Sequence, residues 1–87
     1  MPTLATEPIL PRHPRWGEFL QRLCGPEGCN FTGTTWTCFG GTDKRFCRLI
    51  LARMGLSERA IEVNLAYFED HGGYCDCEVA LNVGPWE

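Results

Sequence analysis

The chain of 87 residues is the size of one small domain, and its composition, 44% hydrophobic and 22% charged, is that of a folded protein rather than a disordered one. A domain of this size buries only about 60–65% of the surface that its unfolded chain exposes, so its core is marginal without further stabilisation. The formal net charge of −3 argues against binding to nucleic acid, because neutralising phosphates needs a surplus of Lys and Arg.

No apolar stretch approaches the length of a membrane span, and the first residues have neither a basic region nor an apolar run. The sequence therefore predicts a cytoplasmic protein that does not bind membranes. Six cysteines in a reducing compartment favour metal binding, redox chemistry or buried thiols over disulfides. They lie at positions 24, 29, 38, 47, 75 and 77.

Residues 1–11 are predicted to form a flexible N-terminal tail, and residues 12–87 a single domain. The tail contains three of the six prolines and has no regular hydrophobic spacing. Deleting residues 1–10 is accordingly expected to leave stability nearly unchanged.

Hydrophobic residues recur at helical spacing in three segments of the domain. The first helix is predicted over residues 14–24, the second between Asp43 and Gly55, and the third from a cap at Ser57 to a stop at His71. These helices account for most of the apolar residues before the C-terminal segment.

Two further segments have the alternating pattern of strands, residues 34–38 and residues 74–83. The predicted fold class is therefore α+β, with three helices packed on a small antiparallel two-stranded sheet. One face of the longer strand would carry both of its thiols and its apolar residues, namely Cys75, Cys77, Val79, Leu81 and Val83.

The glycine-rich segment 25–31, the motif Trp36-Thr37-Cys38 and the segment 71–83 together resemble a small bacterial protein family of unknown function. The hallmark of that family is a C-terminal Gly-Gly-Tyr-Cys-Asp-Cys-Glu run that closes on Asn-Val. The resemblance covers nearly everything after residue 15, and it implies a fold and a set of cysteines rather than a reaction. The cysteines that match the family pattern are Cys29, Cys38, Cys75 and Cys77.

These four thiols form a candidate tetrahedral zinc site, which would supply folding energy that a small core lacks. The spacing within the second pair is unfavourable, because side chains two residues apart on a regular strand are about 6.5–7 Å apart. The strand would have to bend at Asp76. The alternative is that the thiols are small buried side chains, as is expected for Cys24 and Cys47 on their helices.

A redox function of Cys75 and Cys77 is a second alternative. A reactive thiol needs a nearby cation or a helix N-terminus. Here the acidic residues Asp76 and Glu78 flank the thiols, and the predicted helix before them presents its C-terminus, so the local sequence disfavours this chemistry.

An acidic cluster near the third helix is a solvated turn, a site for a hard cation or a surface that docks on a basic protein partner. No catalytic signature is present, and the sequence favours a non-enzymatic interaction module of the adaptor or inhibitor type. The candidate partner-binding residues are Glu69, Asp70, Asp76, Glu78 and Trp86.

Overall fold

The computed structural model describes residues 6–32 and 35–83, and it confirms the three helices expected between residues 14 and 71. These helices are α1 (Trp16–Cys24), α2 (Arg45–Arg53) and α3 (Glu58–Asp70). None of the helices in the described ranges has the length and apolar character needed to cross a membrane.

The start of α3 follows the capping rule that predicted it. The side chain of Ser57 accepts a hydrogen bond from the backbone N–H of Ala60, and Glu58 lies in the first turn, where its charge complements the helix dipole. The preceding turn uses Gly55 with φ +95°, a conformation that glycine adopts without steric cost. Local sequence therefore fixes the junction between α2 and α3.

The predicted strand over residues 74–83 is wrong, because the segment forms a fourth helix, α4 (Asp76–Asn82). Its buried residues repeat at helical spacing, with Val79, Ala80 and Val83 inside and Leu81 53% exposed. The preceding Gly73 packs so closely on this helix that an added Cβ would lie 2.8 Å from Val83 and 2.9 Å from Val79.

The α+β fold class is also wrong, since the described residues contain four helices and no sheet. An isolated antiparallel bridge between Thr32 and Thr35 lies where the first strand, residues 34–38, was expected. Thr34 itself lies outside the described residues. Without a partner strand, the β-propensity of this segment produces a loop, as a lone strand is not stable.

An aromatic cluster of Trp16, Phe19 and Phe68 lies at the centre of the core. The ring centroids are 5.2–5.9 Å apart, and both phenylalanines are fully buried. Around this cluster α1 packs on α2 and α4, while α2 also contacts α3 and α4. The fold is therefore a small helical domain in which α4 takes the place of the predicted sheet.

The segment before α1 is anchored to α3 by Ile9. The side chain of Ile9 is 1% exposed and joins the main core. Its backbone N–H donates to Asn64 Oδ1 at 2.6 Å, and its carbonyl oxygen accepts from Asn64 Nδ2 at 2.8 Å. The first five residues of the predicted flexible tail lie outside the described residues, but the part around Ile9 is packed on the domain.

Candidate metal centre

Three of the four predicted ligands meet at the start of α4. The Sγ atoms of Cys38, Cys75 and Cys77 all lie within 4.8 Å of one another, and those of Cys75 and Cys77 are 3.4 Å apart. We call these three residues the thiol centre. They come from two segments that are far apart in the sequence, so folding rather than local spacing creates the centre.

The two thiols of α4 approach each other because a helix begins between them. Cys75 is the N-cap residue and Cys77 lies in the first turn. The separation expected for a strand therefore does not apply, and no bend at Asp76 is required. The acidic first turn formed by Asp76 and Glu78 was the available signal for this helix start, because carboxylates favour the positive end of the dipole.

Asp76 fixes this helix start on the N-terminus of α2. Its carboxylate oxygens accept backbone hydrogen bonds from Phe46 at 3.1 Å and Cys47 at 2.9 Å, and its own N–H donates to the carbonyl of Asp43 at 3.2 Å. We call these three bonds the Asp76 clamp. They satisfy two of the free N–H groups at the start of α2, and they hold the thiols of α4 in a defined place.

Lys44 adds a second connection between the same two regions. Its ammonium group is largely buried, where it donates to the carbonyl oxygens of Thr42 and Tyr74 at 3.2 Å each and pairs with the carboxylate of Glu69. A buried ammonium is stable when it is paired and hydrogen-bonded in this way. Lys44 thus holds the residue just before Cys75 against the start of α2.

The loop before α2 brings Cys38 to the other two thiols. The N–H of Thr37 donates to the carbonyl of Cys29 at 2.7 Å, and the rings of Phe31 and Trp36 are 5.5 Å apart. The backbone N–H of Gly40 lies 3.4 Å from Cys38 Sγ. These contacts fold the loop back on itself, so that Cys38 faces α4.

The protein environment acts differently on the three thiols. Burial raises the pKa of Cys77 to about 12, with a further contribution from the neighbouring Cys38, and burial also raises the pKa of Cys75. For Cys38 burial acts in the same direction, but hydrogen bonds from the backbone amides of Cys77 and Gly40 and from the neighbouring thiols together bring the pKa below its ordinary value. A cation at the centre would stabilise all three as thiolates.

Cys29, the fourth predicted ligand, lies outside this group of three. It is fully buried in the core, and burial raises its pKa to about 12, with the charges of Asp76 and Cys38 adding to the shift. Cys47 is likewise buried in α2, and Cys24 is partly buried and packs against the core. The expectation that the helix thiols of Cys24 and Cys47 are structural agrees with these positions.

The predicted acidic docking residues differ in their exposure and in their contacts. Asp76 has no exposed surface and its carboxylate is bonded to α2, so the prediction that Asp76 contacts a docking partner is wrong. Glu69 is paired with Lys44, Glu78 accepts a hydrogen bond from the N–H of Tyr74, and Asp70 is exposed. Trp86 lies outside the described residues. The clamp and the buried Lys44 are the functional features that the sequence analysis missed.

Together, fold and site define a small helical domain whose three clustered cysteines can hold a metal ion. The chain belongs to the family described as protein of unknown function DUF2695, whose model matches residues 17–82 and so includes every residue of the thiol centre. The expected membership of an uncharacterised family is thereby confirmed. Comparisons with curated proteins and with solved structures gave no match.

Proposed function

We propose that this domain is a zinc-stabilised protein-interaction module. The observation that carries the proposal is the convergence of three thiols from two distant segments within 4.8 Å. Thiolate ligands select zinc, Cu(I) or iron–sulfur clusters, and a small domain with a limited core gains most from a structural zinc ion.

The separations between the sulfurs support this assignment. Two thiolates that bind one tetrahedral zinc at about 2.3 Å are about 3.8 Å apart. The Cys75–Cys77 separation of 3.4 Å and the limit of 4.8 Å for all three pairs bracket that value. Small side-chain rotations would therefore place the three sulfurs around one ion.

Cys29 is the proposed fourth ligand, because structural zinc sites have four protein ligands. Its carbonyl accepts the N–H of Thr37, the residue before Cys38, so the two cysteines belong to one folded loop. The charges of Cys38 and Cys75 contribute to the raised pKa of Cys29, which supports proximity to the centre. Binding of zinc would draw Cys29 toward the other three thiols.

Half-exposed aromatic residues next to the ligands support the interaction role. Trp36 and Phe39 lie within two residues of Cys38, and Tyr74 precedes Cys75; the three are 48%, 52% and 49% exposed. Aromatic side chains are enriched at protein–protein interfaces. A metal ion that fixes the loop and the start of α4 would also fix the positions of these three side chains.

Elemental analysis of freshly purified, reduced protein tests the metal assignment. One zinc per chain is expected, with loss of the metal in Cys38→Ser and Cys77→Ser and retention in the control Cys24→Ala, whose thiol lies outside the centre. Cobalt substitution then counts the thiolates through their charge-transfer absorption, and Cys29→Ser should lower that absorption. Absence of any bound metal from the reduced wild-type protein would contradict the proposal.

The interaction role is tested separately on protein that retains its metal. Partners cross-linked in the source cell should be lost in Trp36→Ala and Phe39→Ala. Val63→Ala removes an equally exposed apolar side chain from α3 and should retain them. Equal retention by all three variants would refute the aromatic docking surface.

A thiol-dependent redox protein is the second candidate, and the 3.4 Å separation of Cys75 Sγ and Cys77 Sγ favours it. Burial raises the pKa of both residues, which lowers the reactivity of each as a nucleophile. Rapid alkylation of either residue in the native, metal-free protein would support this function, and slow labelling would argue against it.

A further inference from the structure

The thiol centre offers two kinds of cysteine pair for oxidation. Cys75 and Cys77 belong to one turn at the start of α4, and their Sγ atoms are 3.4 Å apart. Cys38 comes from the loop before α2 and lies within 4.8 Å of both. Their positions in one turn would favour a disulfide between Cys75 and Cys77, but the surrounding contacts point to a different pair.

The Asp76 clamp opposes a disulfide between Cys75 and Cys77. A disulfide between residues two apart closes a small ring that includes the backbone of Asp76, and its specific geometry constrains that backbone. That residue is fully buried, and its N–H and both carboxylate oxygens are bonded to Asp43, Phe46 and Cys47. Its displacement would leave a buried carboxylate and the N–H groups of α2 without partners, which is strongly unfavourable.

The loop that carries Cys38 is much easier to move. Residues 35–37 and 39–42 are exposed, and Gly40 and Gly41 adopt positive φ angles. Cys38 and Cys77 are both partly accessible, whereas Cys75 is only 5% exposed. The loop can therefore approach Cys77 without disturbing the packing of α4 on α2.

We propose that hydroperoxide oxidants convert the thiol centre into a Cys38–Cys77 disulfide and thereby release its zinc. Cys38 Sγ attacks one peroxide oxygen, which yields a sulfenic acid on Cys38 and one molecule of water or alcohol. Cys77 Sγ then attacks the sulfur of Cys38, forms the disulfide and expels one molecule of water. The two thiols lose two electrons to the peroxide, and an external dithiol reverses the reaction.

A zinc ion held by these thiolates would be released without a change of oxidation state, because two of its ligands would be joined in a disulfide. Release of the metal rests on the proposed zinc site, whereas formation of the disulfide does not. The aromatic surface formed by Trp36, Phe39 and Tyr74 would then respond to the redox state of the cell.

Peptide mapping of the zinc-loaded full-length protein tests this proposal. After treatment with hydrogen peroxide and alkylation of free thiols, trypsin leaves Cys38 in peptide 23–44 and both α4 cysteines in peptide 60–87. The expected product joins the two peptides through Cys38 and Cys77, and one zinc is released for each disulfide. A peptide 60–87 that is lighter by two hydrogens, beside a fully alkylated peptide 23–44, would overturn the proposal.

Peptide mapping together with zinc analysis distinguishes a failure of the zinc site from a failure of the Cys38–Cys77 disulfide. A protein purified without metal that still forms the Cys38–Cys77 cross-link would refute only the zinc site. A zinc-loaded protein that loses metal without this cross-link would refute only the redox inference. Trapping a sulfenic acid on Cys38 with dimedone in Cys77→Ser identifies the residue that reacts first, and a sulfenic acid on Cys75 instead would refute the order of steps.

Two matched substitutions test the role of the clamp. Asp76→Asn removes the charge and one acceptor, so the share of Cys75–Cys77 disulfide should rise. Asp70→Asn makes the same change at an exposed position and should leave the share unchanged. An unchanged distribution in Asp76→Asn would show that the clamp does not select the pair.

Discussion

Replacement of Asn64 by Ala tests whether the segment around Ile9 is part of the folded domain. The amide of Asn64 is fully buried and makes both of its observed hydrogen bonds to the backbone of Ile9, at 2.6 and 2.8 Å. Alanine removes donor and acceptor together, and it leaves the N–H and the carbonyl group of Ile9 without partners in the core.

The expected loss of stability follows from these contacts. Each hydrogen bond contributes about 1 kcal/mol net, and buried groups left unpaired add to the loss. If the segment detaches, the protein also loses the burial of the Ile9 side chain, about 2 kcal/mol, while the released residues regain conformational entropy. The free energy of unfolding should therefore fall by about 3 kcal/mol, which lowers the melting temperature of a domain of this size by about 10–25 °C.

Thermal unfolding followed by circular dichroism measures this effect. Asn82→Ala is the matched control, because Asn82 is exposed and donates one hydrogen bond, to the carbonyl of Gly72. Its cost should stay within about 1 kcal/mol. Similar melting temperatures for Asn64→Ala and Asn82→Ala would refute the structural role of Ile9.

Two truncations extend the test and replace the original expectation that deleting residues 1–10 is neutral. Removal of residues 1–5 keeps Ile9, whereas removal of residues 1–10 deletes it together with its bonds to Asn64. Only the longer deletion should lower stability strongly. Combining it with Asn64→Ala should add little further loss, because both changes remove the same interaction. Additive losses would show that Asn64 acts independently of Ile9.

Three further predictions concern other parts of the structure. Gly73→Ala should destabilise the domain by about 1–3 kcal/mol, because the added Cβ would lie 2.8 Å from Val83. Gly17→Ala in α1 places its Cβ in open space and should stabilise the domain by about 0.5 kcal/mol. Chemical denaturation of both variants measures the two effects. The salt bridge to Arg22 lowers the pKa of Glu27 from 4.5 to about 2. The contribution of this salt bridge to stability is therefore present above about pH 4.5 and is lost as the pH falls toward 2. Glu27→Gln should flatten that part of a plot of melting temperature against pH, and parallel plots for variant and wild type would contradict this prediction. Zinc bound at the thiol centre would have to displace protons from the thiols. Competition with a chelator should therefore give an affinity that rises with pH, by up to about tenfold per displaced proton and pH unit. An affinity independent of pH would argue against thiolate ligands.

The three longer helices could be predicted from the sequence because each has an apolar stripe and a local start or stop signal. Ser57 illustrates this best, since its capping bond to Ala60 depends only on neighbouring residues. The long-range contacts of the Asp76 carboxylate could not be predicted in this way. A charged residue such as Asp76 can be buried only where the fold brings N–H groups close to its carboxylate, and that is a long-range property.

The error over residues 74–83 has a specific cause. Cys75, Cys77, Val79 and Val83 satisfy an alternating pattern, but Val79 and Val83 are also four residues apart, as in one face of a helix. Short apolar segments are ambiguous in this respect. The acidic residues at 76 and 78 and the alanine at 80 favour a helix, and they should have outweighed the alternation of the thiols.

Three of the four predicted metal ligands lie close together, and the resemblance indicated them where their spacing did not. They converge although the sheet that was expected to position them is absent from the described residues. The position of Cys38 depends on loop contacts between residues that no periodic pattern relates. The proximity of the three thiols therefore depends on tertiary structure, and their spacing in the sequence did not predict it.

The thiol centre connects the loop before α2 with the start of α4, so both α2 and α3 lie between its ligands. A metal ion bound there would join these two segments through coordinate bonds. A permanent cross-link that closes a loop of this length stabilises a protein by about 4 kcal/mol, because it lowers the entropy of the unfolded chain. The contact between α2 and α3 lies within the segment that the centre encloses, and it does not itself involve a ligand. A metal ion at the thiol centre would therefore oppose the separation of the two ends of the α2–α3 segment when the domain unfolds.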